Sequence, residues 1–315
     1  MVKKEINILE ELQYINENTP LEKVNDPLLS ERKISLFIKR EDLNHPHMSG
    51  NKWHKLKYNL QNAINEGKGT LLTFGGAYSN HIYAVAAAGK IFNFRTIGII
   101  RGEEHLPLNP TLSFAVENGM KIYYLDRKSY RKKESSEIIK QLQEKFGDFY
   151  LLPEGGTNEL AVRGCSEIIN QIEIKFDYIC CPCGTGGTLA GLISGLNGNK
   201  IALGFAVLKG ASFLKENVRS LLQNSNLSPV QNWDINLDYH LGGYARVNSV
   251  LMGFVNQFTS LTNIPIEPIY TGKMLYGIYD LVSKGYFKEG SCIIAIHTGG
   301  LQGLKGLFDR AQLMR

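Results

Sequence analysis

A lysine that follows a glycine and an asparagine is the first feature of this chain that could carry out chemistry. Lys52 comes directly after Gly50 and Asn51, in a segment whose pattern predicts the start of a helix. A lysine amine can add to an aldehyde and form a Schiff base. Most lysines at helix starts are solvated, so the role of Lys52 depends on what the rest of the chain places beside it.

Four glycine-bearing loops could lie beside Lys52 and form a site with it. They span residues 75–81, 154–158, 184–188 and 297–300, and each follows a predicted strand. Ligands of open α/β sheets bind beyond the carboxyl ends of the strands, where such loops collect. A single Gly-Gly pair is most often a tight turn, whereas four loops that also carry Ser, Thr, Asn or His indicate a ligand site.

The loop at 184–188 is suited to one phosphate group. Gly184, Gly186 and Gly187 precede a predicted helix, so backbone N–H groups and the helix dipole converge on one point. Leu189 stands where a dinucleotide fingerprint needs its last glycine, and no Gly-Lys-Ser/Thr sequence of a P-loop follows. A lysine able to form a Schiff base and a seat for one phosphate suggest pyridoxal 5′-phosphate (PLP) as the cofactor.

The elements that position these loops alternate between strand and helix. Apolar runs predict strands at 34–39, 70–74, 96–100, 121–125, 178–181, 201–208 and 292–296. Helical spacing predicts helices at 55–64, 79–88, 112–117, 135–145, 159–171, 188–196, 213–222, 250–262, 273–284 and 301–313. Residues 1–30 are interpreted as an irregular arm and 224–238 as a surface connection. This alternation predicts an α/β fold with parallel sheets covered on both faces.

Composition limits the remaining possibilities. The 315 residues are 43% hydrophobic, enough for two lobes. The net charge of +5 includes no long block of one sign, so no nucleic-acid partner is expected. The chain begins without a secretory apolar segment and has no run of about 18 apolar residues, which predicts a cytoplasmic protein without a membrane partner.

Cysteine and histidine placement does not predict a metal site or a disulfide framework. Cysteines number five, and Cys180, Cys181 and Cys183 share one apolar run that indicates a buried strand. His45 and His47 flank a proline, and no third ligand lies near them in the sequence. No metal is therefore expected.

As a set, the motifs resemble the D-cysteine desulfhydrase and 1-aminocyclopropane-1-carboxylate (ACC) deaminase family of PLP enzymes. They occur in order from about residue 20 to 303, most weakly over 200–246: Lys39-Arg40-Glu41-Asp42-Leu43, Ser49-Gly50-Asn51-Lys52, Lys55-Leu56, Ser79-Asn80, Pro153-Glu154-Gly155-Gly156-Thr157-Asn158, residues 184–192, Tyr270-Thr271-Gly272-Lys273 and His297-Thr298-Gly299-Gly300. The resemblance implies the tryptophan synthase β-like fold, PLP fold type II, with two open, twisted, mostly parallel sheets flanked by helices.

The resemblance also implies how the chain is divided. It implies a large PLP-anchoring domain at 1–54 plus 163–315, a smaller inserted α/β domain at 55–162, a site in the cleft between them, and a homodimer. The substrate is a small amino acid.

The resemblance further assigns roles to residues. Lys52 matches the lysine that holds PLP, Asn80 matches the residue that bonds the phenolic oxygen of PLP, and Tyr270 matches a tyrosine near the ring, although a core aromatic is the other interpretation. By the same resemblance, Tyr244 matches a second active-site tyrosine, although the sequence around it departs from the commoner family sequence. The full set is catalytic Lys52, Ser79, Tyr270 and Tyr244; cofactor-binding Lys52, Asn80, Gly184, Thr185, Gly186, Gly187, Thr188, Thr271 and Thr298; and substrate-binding Ser79, Asn80 and His81, where helix capping is the alternative for His81.

Two threonines bear on the reaction. Deaminases that resemble this chain carry glutamate at position 271 and leucine at position 298, where this chain has Thr271 and Thr298. A hydroxyl cannot stabilise a pyridinium as a carboxylate does, so the ring is expected to be a weaker electron sink. This favours a lyase that performs α,β-elimination, converting D-cysteine to pyruvate, ammonia and sulfide. The alternative is ring opening of ACC to 2-oxobutyrate and ammonia. A nicotinamide oxidoreductase and a non-catalytic binding module are disfavoured.

Overall fold

The chain forms an α/β structure with two sheets. The computed structural model describes residues 18–196, 198, 200–224 and 231–304. Within these residues the strands form one six-stranded and one four-stranded sheet, mostly parallel and flanked by helices. This confirms the predicted fold class. The chain divides into two compact units: the smaller includes Leu56–Gly156 and 302–304, and the larger includes 18–55 and the described part of Thr157–Leu301.

The described strands and helices alternate along most of the chain. The strands are β1 (Leu21–Lys23), β2 (Ser35–Lys39), β3 (Thr70–Gly75), β4 (Arg95–Arg101), β5 (Met120–Leu125), β6 (Tyr150–Leu152), β7 (Tyr178–Cys183), β8 (Ile201–Ala206), β9 (Trp233–Asn236) and β10 (Cys292–Ile296). The helices are α1 (Pro27–Glu31), α2 (Asn51–Asn65), α3 (Asn80–Ile91), α4 (Pro110–Glu117), α5 (Arg127–Tyr130), α6 (Ser136–Phe146), α7 (Glu159–Ser166), α8 (Gly187–Leu196), α9 (Phe213–Asn224), α10 (Ser249–Thr262) and α11 (Thr271–Ser283). Short 3-10 segments span Glu41–Leu43, Glu154–Gly156 and Glu167–Gln171.

The larger unit is built on the sheet β1-β2-β10-β7-β8-β9, in which only β1 runs antiparallel to its neighbour among the described strands. One face packs against α10 and α11, and the other packs against α7, α8 and α9. Because both faces are covered, β7 is a nearly continuous apolar run, with Cys180 in one core and Cys181 and Cys183 in the other. The parallel strands β2, β7 and β10 bring the loops that follow them to one edge of the sheet.

The smaller unit is built on the parallel sheet β5-β4-β3-β6. Its core contains Leu72 and Phe74 of β3 and Ile97 and Ile99 of β4, with Tyr130 packed beside them. The loop that leads to α3 follows the carboxyl end of β3. Ser79 caps this helix, because its side chain accepts hydrogen bonds from the N–H groups of the first turn.

Two segments are more regular than the sequence predicts. Residues 18–30 contain β1, which pairs with β2 through Leu21 and Lys39, and the short helix α1, which Asp26 caps. Residues 224–238 contain β9, an edge strand parallel to β8 in which Ile235 alone is fully buried. Both strands are held by backbone pairing at the edge of the sheet, which hydrophobic periodicity does not reveal.

Helix boundaries differ by a few residues from those predicted. The helix expected from residue 55 already begins at Asn51, and the one expected over 159–171 becomes a 3-10 segment after Ser166. Residues 1–17 of the predicted arm and 305–313 of the last predicted helix lie outside the described residues. None of the described helices is both long enough and apolar enough to cross a membrane.

Candidate active site

Lys52 is placed by a glycine that allows close backbone contact. Gly50 has φ of +69°, and a Cβ atom there would lie 2.0 Å from the carbonyl oxygen of Thr298. No side chain fits, so glycine lets the start of α2 lie directly against the loop after β10. Glu41 and Asn44 fix the same turn, since the Gly50 N–H donates to the Glu41 carbonyl oxygen and to Asn44 Oδ1, both at 3.0 Å.

The Lys52 amine is linked to the start of α8 through Asn51. Lys52 Nζ donates to Asn51 Oδ1 at 2.9 Å, and Asn51 Nδ2 donates to Thr188 Oγ1 at 2.7 Å. Burial, followed by repulsion from the Lys55 ammonium, lowers the pKa of Lys52 to about 7. A large fraction of this amine is therefore neutral and nucleophilic near neutral pH. Asn51 was not among the predicted site residues, although it directly precedes the lysine.

The loop at 184–188 forms a cradle of hydrogen-bond donors with Lys55 above it. Lys55 Nζ lies 3.0 Å from Thr157 Oγ1 and 3.4 Å from Thr185 Oγ1, and the two hydroxyls are 2.5 Å apart. A Cβ at Gly187 would lie 2.8 Å from Thr157 and 3.2 Å from Lys55 Nζ. Gly186 has φ of +85°, which turns the chain into α8.

This donor set fits a phosphate group. The Thr157 and Thr185 hydroxyls, the buried Lys55 ammonium and the start of α8 converge on one point. A side chain at Gly187 would fill this space. Burial lowers the pKa of Lys55, and a bound anion would stabilise its charged form. Lys55 and Thr157 were not predicted as phosphate ligands. Both lie inside motifs that carried the resemblance, which was the available signal.

A buried carboxylate organises the start of α11. Tyr270, at the N-cap position, makes no side-chain cap. Glu267 replaces it: its oxygens accept the N–H of Ile269 at 2.6 Å, of Tyr270 at 3.0 and 3.1 Å, and of Thr271 at 2.6 Å. Glu267 is 2% exposed, and this burial raises its pKa to about 7 although the N–H groups oppose the shift. Its charge in turn raises the pKa of Lys52.

Sequence reasoning missed Glu267. An acidic residue just before a predicted helix start is a capping signal, and that signal was present three residues before Tyr270.

Two predicted cofactor-binding threonines offer polar atoms at the loop ends. Thr271 Oγ1 is buried and meets no hydrogen-bond partner among the described residues. Thr298, 8% exposed, follows β10, and its carbonyl lies against Gly50. An orphaned buried hydroxyl fits a polar group supplied by a ligand.

The two predicted tyrosines lie together beside the donor set at 184–188. A Cβ at Gly184 would lie 3.3 Å from Tyr270 Cε1 and 3.7 Å from its hydroxyl oxygen. The rings of Tyr244 and Tyr270 meet edge to face, with centroids 5.9 Å apart and planes at 71°. Tyr244 remains 39% exposed. The larger unit therefore brings Lys52, Thr188, Gly184 and both tyrosines into one region.

Ser79, Asn80 and His81 belong to the smaller unit. Ser79 Oγ accepts the N–H groups of His81 and Ile82 at 3.2 and 3.3 Å, so its own hydroxyl hydrogen is available to a ligand. Asn80 Oδ1 accepts from Gln302 Nε2 at 3.0 Å, an arrangement that leaves Asn80 Nδ2 as a donor.

His81 is 2% exposed, and its Nε2 lies 2.9 Å from Thr73 Oγ1. Thr73 donates to the Leu152 carbonyl, which fixes His81 Nε2 as the donor in this pair. These contacts tie the start of α3 to the sheet. The predicted part of His81 in substrate binding stays a prediction.

His297 joins the loop after β10 to the segment before α11. Its Nε2 donates to the Pro265 carbonyl at 2.8 Å, and its Nδ1 accepts the Gly299 N–H at 3.2 Å. Burial lowers the pKa of His297. The ring is therefore a neutral, structural link between the loops that carry Thr298 and Glu267.

Comparison with known proteins identifies the family and its cofactor. The family model for pyridoxal-phosphate dependent enzymes matches residues 12–299. The bifunctional D-cysteine desulfhydrase/1-aminocyclopropane-1-carboxylate deaminase of Arabidopsis thaliana is 32% identical, over 94% of this chain and 80% of its own length. The D-cysteine desulfhydrase of Klebsiella pneumoniae is 28% identical, over 93% of this chain and 94% of its own.

A solved structure has the same fold. The crystal structure of an ACC deaminase homologue superposes with a TM-score of 0.83 at 27% identity, covering 98% of this chain and 99% of the other. The resemblance predicted from the motifs and the predicted PLP cofactor are both confirmed. A match that extends from residue 12 to residue 299 places this chain in the family of pyridoxal-phosphate dependent enzymes.

Proposed function

We propose that this protein catalyses α,β-elimination on a small β-substituted amino acid, with D-cysteine as the first candidate and pyruvate, ammonia and sulfide as products. The observation that carries the proposal is Thr271, a buried neutral hydroxyl beside Glu267, at the position where similar ring-opening deaminases carry a carboxylate. A neutral hydroxyl leaves the pyridine nitrogen of PLP largely unprotonated. Loss of a good β-leaving group needs less carbanion stabilisation than opening a cyclopropane.

The cofactor contacts follow from the donor set. We assign the aldehyde of PLP to Lys52 and its phosphate to Lys55, Thr157, Thr185 and the N–H groups that begin α8. Thr271 supplies a hydroxyl for the ring nitrogen, and Asn80 Nδ2 supplies a donor for the phenolic oxygen. PLP, when bound, draws electrons away from the Cα–H bond of an amino acid attached through its amine.

Lys52 is the base in this proposal. In the ligand-free protein its pKa of about 7 leaves a large fraction of the amine neutral near neutral pH, and this neutral form of Nζ is the one that would accept the Cα proton of the substrate. Asn51 Oδ1 holds Nζ by a hydrogen bond and is itself fixed through Thr188. The same amine can therefore both anchor the cofactor and move a proton.

Tyr270 and Tyr244 are the candidates to orient the substrate and to protonate the leaving group. A thiolate needs a proton donor, and the phenol of Tyr270 lies beside Gly184 in the cradle region. The Ser79 hydroxyl, at the start of α3, donates to no other described residue, which suits a substrate carboxylate, and it is a second candidate for moving a proton.

Ring opening of ACC is the alternative, because a relative of 32% identity carries both activities in its name. Product analysis separates the two. Purified protein is incubated with D-cysteine or with ACC, and pyruvate, sulfide and 2-oxobutyrate are quantified. We expect pyruvate and sulfide in equal amounts from D-cysteine and little 2-oxobutyrate from ACC.

Faster formation of 2-oxobutyrate than of pyruvate would reverse the assignment. The matched control is Lys52→Ala, which removes the amine that holds PLP. This variant should lose the visible absorbance of the lysine-bound cofactor together with both activities. A colourless wild type that stays colourless with added PLP would refute the role of Lys52.

A further inference from the structure

Lys273 of the larger unit is fully buried, although it belongs to neither the proposed amine anchor nor the proposed phosphate cradle. Lys273 lies in the first turn of α11 and is 0% exposed. Its Nζ donates to the carbonyl oxygen of Gly243 at 2.6 Å. The same oxygen accepts the N–H of Arg246 at 3.1 Å. Lys273 therefore reaches from the helix that follows Tyr270 to the loop that carries Tyr244.

That loop adopts an unfavourable backbone conformation. Leu241 and Ala245 have φ of +48° and +54°, and the glycines between them, Gly242 and Gly243, have φ of +95° and +111°. Side-chain-bearing residues rarely adopt these values, since Cβ crowds the backbone. Gly243 is buried while Tyr244 is 39% exposed. A loop of this kind keeps its shape when contacts outside it oppose relaxation.

Packing alone does not account for a lysine at this position. A linear apolar side chain such as methionine fills a similar volume without the cost of removing an ammonium from water. Glu267 partly compensates that cost, because its carboxylate favours the charged form of Lys273. What methionine cannot supply is the hydrogen bond to Gly243.

The start of α11 therefore controls both aromatic rings. Glu267 fixes the backbone of Tyr270, because its two carboxylate oxygens share the Tyr270 N–H at 3.0 and 3.1 Å, and Lys273 fixes the loop of Tyr244. The two rings meet edge to face at 5.9 Å. We propose that Lys273 is a positioning residue, which acts on the reaction by holding the Gly242–Gly243 turn so that Tyr244 stays against Tyr270.

A double-mutant cycle tests this proposal with Lys273→Met, Tyr244→Ala and the pair combined. This kinetic test rests on the proposed function, since it needs turnover of an amino acid. We expect Lys273→Met to lower kcat roughly 10- to 100-fold, with KM changed less than about threefold. In the Tyr244→Ala background, where no ring is left for Lys273 to position, the same change should lower kcat less than about twofold.

An equal loss of kcat in both backgrounds would overturn the proposal, because Lys273 would then act independently of Tyr244. Unchanged kcat in Lys273→Met would overturn it as well. Lys284→Met is the matched control, since Lys284 is an exposed lysine at the end of the same helix, paired with Asp280. It should leave kcat within about twofold of wild type.

Hydrogen exchange of the PLP-loaded protein tests the same contact without any turnover. We expect Lys273→Met to raise exchange in peptides covering residues 240–248 and to leave peptides of β7 and β10 unchanged. Uniformly raised exchange, or no change in the loop, would refute a specific role for Lys273. Lys273→Gln, whose amide ends one bond short of the lysine nitrogen, replaces the methionine variant if that one does not fold. Failure of the proposed elimination would leave the exchange result intact.

Discussion

The rate at which ligand-free protein takes up PLP should follow the ionisation of Lys52 through neutral pH. Schiff-base formation needs the neutral amine, and burial together with the nearby Lys55 ammonium lowers the pKa of Lys52 to about 7. An ordinary lysine, with a pKa near 10.4, is almost entirely protonated at this pH. The perturbation is therefore a change of pH between about 5.5 and 9.5.

The expected magnitude follows from the neutral fraction. With a pKa of about 7, the neutral form rises from roughly a tenth at pH 6 to roughly nine tenths at pH 8, about a tenfold gain, and then stops rising. An unperturbed lysine would gain about a hundredfold over the same two pH units and would continue to gain up to about pH 10. The two cases differ both in slope and in the position of the plateau.

Stopped-flow absorbance measures the uptake after PLP is mixed with ligand-free protein. The rate of PLP with a simple alkylamine, corrected for that amine's own neutral fraction, serves as the reference for ionisation of PLP itself. Lys52→Ala should remove the signal. A rate that still rises in proportion to hydroxide between pH 8 and pH 9.5 would refute a lowered pKa for Lys52. It would also weaken the assignment of this amine as a base near neutral pH.

Two further substitutions test the groups that sequence reasoning missed. Lys55→Met should raise the dissociation constant for PLP about 10- to 100-fold, because it removes a charge-assisted hydrogen bond to phosphate. Absorbance titration measures this constant, with Lys57→Met as the control. Equal affinities of the Lys55→Met and Lys57→Met variants would contradict the phosphate assignment. Glu267→Gln should lower the free energy of unfolding by about 1–3 kcal/mol in urea, because the amide nitrogen cannot accept the N–H of Thr271 or Ile269. An effect no larger than that of the exposed Glu289→Gln would show that Glu267 does not stabilise α11.

The sequence predicts the parts of the fold that are buried on both faces, because their segments are continuous apolar runs. β7 and β10 are covered on both faces, so their sequences are apolar throughout; β10 was predicted at its observed bounds and β7 two residues short. β1 and β9 lie at the two edges of the same sheet and depend on backbone pairing. Their side chains are largely polar or half-exposed, so periodicity gave no signal for them.

The candidate site also contains parts that the sequence predicts and parts that it does not. Glycine motifs specify backbone shape directly, which is why the tight loop at 184–188 and the turn before Lys52 were recognised from sequence. Glu267 and Lys273 were not assigned roles, since a charged residue beside a predicted helix start is normally solvated. Their importance depends on burial at 2% and 0% exposure, a property of the tertiary structure.

Burial also links the separate parts of the larger unit into one electrostatic system. The Lys55 ammonium is the second largest cause of the lowered pKa of Lys52, after burial itself, and Lys55 belongs to the donor set that fits phosphate. A phosphate dianion bound there compensates the Lys55 charge and weakens its repulsion of Lys52. In the proposed mechanism the amine would thus be most readily neutral in the ligand-free protein, where it would attack the aldehyde. A bound phosphate would shift Lys52 toward its protonated form, so the pKa of about 7 belongs to the ligand-free protein.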